Sequence, residues 1–281
     1  MRNTADKKKL KDIINLMSKK YDMTISQYNE SYLASSLDKR LSTLSMNSIK
    51  NYLDFISENK KEAKNFFNTL LNGYSKFFRN TLTFSLLEHL VLPSILDEKE
   101  RSQNEEIRIW SAACSAGQEA YSVAILLKEL SVAREKTVKF RIFGTDISKN
   151  SLALAIKGSY NFISVNNIPL KYIQKYFTIE GNNYTVSSKL KEHIDFSSYD
   201  LLDAKSICPP PSIYGEFDII ILSNLLYYYR PKIQQTIINK LLRGLPKGKY
   251  LITGKTEKSI IEATGRFSLV LEPAPVFRKT K

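Results

Sequence analysis

The stretch that most constrains this chain is Ile107 to Val123, reading IRIWSAACSAGQEAYSV. It opens as an apolar run, Ile107-Arg108-Ile109-Trp110, whose β-branched and aromatic bias predicts a buried strand. A run of small residues follows, from Ser111 to Gly117. Tyr121, Ala124, Ile125 and Leu127 then fall on neighbouring turns of a helix. A strand, a small-residue turn and a helix make the mouth of an α/β nucleotide site. Small side chains let a ligand touch backbone there, and the helix N-terminus offers free N–H groups. Gly117 is the only glycine in the turn, so the dinucleotide fingerprint G-x-G-x-x-G is not present. Glu119 at the helix start would repel a pyrophosphate and suits a ligand with positive charge and hydroxyls. Taken alone, the stretch is equally a strand-to-helix corner whose carboxylate favours the helix dipole.

The segments downstream repeat the strand–helix rhythm. Val138 to Asp146 alternates, is β-rich and ends in a carboxylate. An acid at the end of the second strand is placed to take the hydroxyls of a ribose. Asp146 would equally serve as an N-cap, because Ser151 to Lys157 continue as a helix. Phe217 to Leu222 reads as a buried parallel strand ending at Ser223-Asn224, with Tyr227-Tyr228-Tyr229 behind it. A helix over about 232–242, a strand over 249–253 and an antiparallel pair of 267–271 with 276–277 complete the pattern. Residues 158–192 interrupt it as a small inserted subdomain with strands. The whole predicts an α/β fold: a doubly wound, mostly parallel sheet over 107–281, with ligands at the strands' carboxyl ends.

Residues 1–80 read instead as an all-α domain. Leu10, Ile13, Ile14 and Met17 form one apolar stripe, and Tyr32, Leu33, Leu37, Leu41 and Leu44 a second. Tyr52, Phe55 and Ile56 start a third, and Phe66, Phe67, Leu70 and Leu71 a fourth. Lys39 and Arg40 offer a basic surface for an acidic helix, or are simply solvated. Residues 72–80, NGYSKFFRN, break the helical pattern. Phe77 and Phe78 would anchor this loop, and Arg79 beside them would present a guanidinium to an anion or form a surface salt bridge. Residues 81–106 read as an apolar helix over 84–96, with Pro93 near its end, followed by an acidic linker from Asp97 to Glu106.

Net charge is +14, which favours acidic partners or simply solubilises the surface. Cys114 and Cys208 are far apart, and His89 and His193 are isolated, so neither a disulfide framework nor a metal cluster is signalled. No run is long and apolar enough to span a bilayer, and the first residues lack the apolar core of a signal peptide. A reducing, cytoplasmic setting and no membrane insertion are the expectations.

Six segments together resemble the chemotaxis receptor methyltransferase family, the CheR type: FFRN at 77–80, WSAACSAGQEAYS at 110–122, FGTDIS at 143–148, FSSYDLL at 196–202, FDIIILSNLLYYY at 217–229 and GKYLITGKTEKS at 248–259. They occur in the family's order and spacing, and YLASSLDKRL at 32–41 extends the similarity to the helical domain. The resemblance implies a Rossmann-like methyltransferase domain that uses S-adenosylmethionine, releases S-adenosylhomocysteine and esterifies receptor glutamates. Glu119 and Asp146 would hold the cofactor's amino acid and ribose parts, in an order left open. Asp200 and Leu201 would flank the adenine, and Ala113, Ser223 and Asn224 would line the pocket. Ser75 and Arg79 would close over the methionine portion and the reacting centre, and Tyr228 would stand near the transferred methyl. The substrate would be an acidic helical region of a receptor, met by Lys39 and Arg40. A monomer is expected.

Four positions depart from the family pattern. Ser223 stands where an arginine is usual, Gly73 where an asparagine is usual, Gln118 where a glutamate is usual and Ala120 where a proline often occurs. The inserted subdomain also lacks the glycines of members that bind receptor tails. These departures motivate an alternative, a catalytically weak or inactive module that binds the cofactor or its product and signals by contact. A nucleic-acid methyltransferase fits poorly, because Asn224 is followed by Leu225 and Leu226 with no N-x-P-Y tetrad.

Overall fold

The computed structural model describes residues 4–71, 73, 75–102, 106–213 and 215–281. They form two compact units. The first holds the N-terminal helices together with Leu226–Gln234, and the second holds the rest.

The first unit is four helices: α1 (Thr4–Tyr21), α2 (Glu30–Thr43), α3 (Ile49–Glu58) and α4 (Lys60–Leu71). Local signals set their starts, since Asn29 accepts from the Tyr32 N–H and Ser48 from the Lys50 N–H. Their apolar stripes close on Ile13, Met17, Leu33, Leu37, Tyr52, Ile56 and Phe66, none of which is exposed. One buried carboxylate interrupts this core. Glu62 accepts from Arg40 Nε and Nη2, both at 2.6 Å, and from the Tyr52 hydroxyl at 2.9 Å. The segment Leu226–Gln234 is stitched to the same unit. Asn29 N–H donates to Tyr228 O, Arg230 N–H donates to Gln27 O, and the Tyr28 and Tyr229 rings stack at 5.0 Å.

The second unit is built on a seven-stranded sheet. Its strands are β1 (Glu106–Ala112), β2 (Lys139–Asp146), β6 (Ile194–Ser198), β7 (Ile219–Leu222), β8 (Tyr250–Thr253), β9 (Phe267–Leu269) and β10 (Val276–Lys279). The order is β6-β2-β1-β7-β8-β10-β9, with the first five strands parallel and β10 antiparallel to both neighbours. Strands buried on both faces need continuous apolar runs, and β7 and β8 are buried at every residue. Helix α7 (Gln118–Ala133) is buried along most of its length against this sheet. The insertion carries β3 (Ser159–Asn161), β4 (Phe177–Glu180) and β5 (Asn183–Val186), an antiparallel sheet in the order β3-β5-β4.

Three features differ from the sequence expectation. Residues 73–80 and 81–102 belong to the second unit rather than to the helical domain or a connector. Phe77 is fully buried there, edge-on to Tyr160 and Phe177, and Phe84, Leu87, Val91, Leu92, Ile95 and Leu96 join the same core. Residues 97–102 are helix, not linker, while 103–105 lie outside the described residues. The helix around Pro93 is also not continuous α. The chain forms α5 (Thr81–Leu86), a π turn (Leu87–Val91) and α6 (Leu92–Ser102). Proline has no N–H for an i−4 carbonyl, and a wider turn just before it absorbs that loss.

Candidate active site

The candidate site is set by the carboxyl ends of four adjacent parallel strands, β6, β2, β1 and β7. After β1 the chain turns sharply through Ala113 (φ 71°) and Ser115 (φ 51°), both in the left-handed region that non-glycine residues seldom visit. Gly117 (φ 87°) completes the turn and starts α7. A Cβ there would meet Ala155 Cβ at 2.9 Å and Phe196 Cζ at 3.0 Å. The glycine therefore allows close helix–sheet packing on the side where a Cβ would sit.

Asp146, at the end of β2, holds this turn from the side. Its carboxylate accepts from the Ser115 N–H and the Ser148 N–H, each at 2.8 Å. The N-cap of helix α8 (Lys149–Lys157) is Ser148, so the capping reading of Asp146 is set aside. Burial raises the Asp146 pKa above the usual range, and the backbone donors oppose that rise. Glu119 lies in the first turn of α7. Ser111 Oγ donates to it at 2.7 Å, and the Ser223 hydroxyl is a second donor. Burial pushes its pKa up to about 7, the nearby charge of Glu257 adds to the rise, and the serines and the Arg79 charge oppose it.

The loop that carries Ser75 and Arg79 is tied to the same turn. Ser115 Oγ donates to Gly73 O at 3.1 Å. The Phe78 N–H donates to Ser122 Oγ on α7 at 3.1 Å. Phe78 itself is left-handed at φ 47° and packs edge-on against Phe84 at 5.1 Å. Arg79 is exposed at the end of this anchored loop, close enough for its charge to act on Glu119.

The remaining candidates divide by unit. Asp200 and Leu201 follow β6. Asp200 is exposed and accepts from the Leu202 N–H at 2.8 Å, and Leu201 is buried. Ser223 and Asn224 follow β7, with Asn224 left-handed at φ 61°. Ala113, Glu119, Asp146, Asp200, Leu201, Ser223 and Asn224 thus stand at the ends of neighbouring strands β6, β2, β1 and β7. Tyr228, Lys39 and Arg40 belong to the first unit. The Tyr228 ring lies 4.3 Å from that of Tyr32, and its hydroxyl accepts from Tyr227 at 2.6 Å. Lys39 is exposed, whereas Arg40 is engaged by Glu62. Arg40→Ala is therefore expected to lower stability by about 3 kcal/mol or more, because it strands a buried carboxylate. Thermal melting checks this. Lys39→Ala should leave the melting temperature within about 2 °C, as for an ordinary surface change.

Sequence reasoning missed Ser111 and Glu257. Ser111 looked like one of several small turn residues, and nothing in its spacing marks it as a donor to Glu119. Glu257 was legible only as part of the GKTEKS segment.

The crevice is rich in acceptors. Glu119 and Asp146 lie there, and the buried Oε1 of Gln118, in the same helical turn as Glu119, has no hydrogen-bond partner among the described residues. Such a set repels phosphates and fits a ligand that brings hydroxyl donors and positive charge. Residues 74–274 match the CheR methyltransferase SAM binding domain, and residues 8–71 match the CheR methyltransferase all-alpha domain. The chain belongs to the CheR methyltransferase family. Its cofactor is S-adenosylmethionine, and the acceptor-rich crevice suits the hydroxyls and cationic groups of that molecule.

Similar proteins span most of this CheR-type chain. A chemotaxis protein methyltransferase of Borreliella burgdorferi is 29% identical over 258 residues, covering 89% of this chain and 88% of that protein. The chemotaxis protein methyltransferase of Escherichia coli is 27% identical over 253 residues, covering 87% and 82%. Chemotaxis protein methyltransferase 1 of Pseudomonas aeruginosa is 26% identical, covering 82% of each. These relationships make this chain an S-adenosylmethionine-dependent methyltransferase of the chemotaxis type. Among the described residues, no helix is long and apolar enough to cross a membrane.

Proposed function

We propose that this CheR-type protein transfers a methyl group to glutamate side chains of chemotaxis receptors, forming methyl esters. The observation that supports the reading is the placement of Glu119, in the first turn of the helix after β1, and Asp146, at the end of the adjacent parallel strand β2, with the Arg79 charge acting on Glu119. When bound, S-adenosylmethionine supplies a methyl activated by its sulfonium. The residues then have undemanding work. A substrate carboxylate is already ionised at neutral pH, so no general base is required. Glu119 and Asp146 hold the amino acid and ribose parts. Asp200 and Leu201 flank the adenine, while Ala113, Ser223 and Asn224 line the pocket. Ser75 covers the methionine portion, and Arg79 orients the incoming carboxylate. Rate enhancement comes from proximity and exclusion of water. For Tyr228, Lys39 and Arg40 the proposed roles, beside the methyl and on the acidic receptor helix, rest on the family resemblance.

The test is incubation with methyl-labelled cofactor and a receptor cytoplasmic fragment. Label released as methanol by base shows an ester. Label that survives base, or no incorporation while the cofactor binds, contradicts the reading.

Glu119 makes cofactor binding pH-dependent. An acid whose pKa is near 7 is mostly protonated at pH 6 and mostly ionised at pH 8. With Glu119 on the amino-acid part, only its ionised form pairs with the cofactor's ammonium, so affinity should rise with pH, by about tenfold between pH 6 and pH 8; a flat profile assigns Glu119 to the ribose. Calorimetry with S-adenosylhomocysteine checks this, and Glu119→Gln should flatten the profile.

One observation favours the binding-only alternative. Glu119 is paired with the Ser223 hydroxyl, where the family usually has an arginine. If Ser223→Arg with Gly73→Asn leaves a cofactor-binding protein without ester formation, the alternative holds. A Cβ at Gly73 would meet Ser115 at an ordinary 3.7 Å or more, so the first side-chain carbon is tolerated there.

A further inference from the structure

Glu257 is fully buried just beyond β8, and so far it enters the site only through its charge on Glu119. Its Oε1 accepts from the Leu225 N–H at 2.6 Å, and its Oε2 accepts from the Asn224 N–H at 2.8 Å and the Gly254 N–H at 2.7 Å. The bond to Gly254 is what a capped 3₁₀ turn at Lys255–Glu257 would make by itself. The bonds to Asn224 and Leu225 cross from the loop after β8 to the loop after β7 and are not capping. They grip the chain where Asn224 takes its left-handed conformation. The same place is crowded from the other side: a Cβ on Gly254 would meet Asn224 Nδ2 at 2.6 Å and Asn224 N at 3.0 Å.

We infer that Glu257 is a positioning residue, which fixes the Ser223–Asn224 turn for cofactor binding without touching the cofactor. The inference rests on the reading that this turn lines the cofactor crevice. A carboxylate suits the task because it has acceptors only, and three N–H donors converge on it. A glutamine would turn an N–H₂ group toward one of those donors. Gly254 complements the clamp by leaving room for the Asn224 amide.

Two variants test this. Glu257→Gln replaces one of the two acceptor oxygens with an N–H₂ donor. Gly254→Ala keeps Glu257, sits at φ −77° where alanine is unstrained, and displaces Asn224 by crowding alone. Each is expected to weaken S-adenosylhomocysteine binding by roughly ten- to a hundredfold in calorimetry, while the protein still melts cooperatively. Where methyl transfer is measured, KM for S-adenosylmethionine should rise and kcat should hold. In Glu257→Gln the amides of Asn224 and Leu225 should lose hydrogen-exchange protection. Wild-type affinity in both variants, with unchanged exchange at those amides, overturns the inference. If the wild-type protein itself binds no S-adenosylhomocysteine, the cofactor reading fails, and the exchange of Asn224 and Leu225 still decides whether Glu257 holds the turn.

Discussion

Arg79→Ala is expected to lower the rate of methyl ester formation by roughly two to three orders of magnitude, with affinity for S-adenosylhomocysteine falling by less than about tenfold. The loop carrying Arg79 is anchored by the buried Phe77 and by the Phe78 backbone bond to Ser122. The backbone at Arg79 is therefore held near Glu119, and an arginine fork is what orients an incoming carboxylate. Removing it misplaces the nucleophile without touching the acceptors that hold the cofactor. The small loss in binding has a separate cause. The Arg79 charge holds the Glu119 pKa down, so its removal leaves Glu119 more protonated at pH 7 and less so at pH 8. The binding loss should shrink at the higher pH while the rate loss stays. Arg79→Lys should recover part of the rate, since lysine keeps the charge but not the fork. An unchanged rate, or a rate loss matched by an equal loss of cofactor affinity, contradicts the orienting role.

Asp218→Ala is expected to be the most damaging single change to stability. Asp218 is 1% exposed at the amino end of β7. It accepts from Lys99 at 2.9 Å, from Lys249 at 3.0 Å and from the Arg108 N–H at 2.9 Å. Lys99 is itself buried, and Lys249 keeps a second partner in Glu98 at 2.7 Å. Deleting the shared carboxylate leaves the Lys99 ammonium desolvated and uncompensated. That costs about 3–5 kcal/mol, or roughly 10 °C in melting temperature for a unit of this size. Scanning calorimetry reads it directly. A shift below about 2 °C would show that the two lysines find other partners at little cost.

Much of the second unit was legible because parallel strands buried on both faces leave uninterrupted apolar runs. Ile107–Ala112 and Ile219–Leu222 announce themselves that way. The turn after β1 was legible as a run of small residues, and Asp146 as an acid at a strand end. Periodicity marked the four N-terminal helices, but their pattern carries no record of which unit adjacent segments join. Phe77 and the 81–102 helices pack into the second core. Tyr228 and Tyr229, in the same run as the β7 strand, pack against the first. Those choices depend on long-range burial and leave no local mark. The Lys99–Asp218–Lys249 cluster was hidden for a similar reason, because charged residues in sequence read as surface until their partners are known. Glu257 was hidden because its three donors are backbone groups, two of them more than thirty residues away.

The most direct test is a crystal structure of this chain with S-adenosylhomocysteine. The account predicts density between Gly117, Asp146 and Asn224, with both carboxylates, Glu119 and Asp146, in contact with the ligand. Ligand density elsewhere, or none there while calorimetry shows saturated binding, would contradict it.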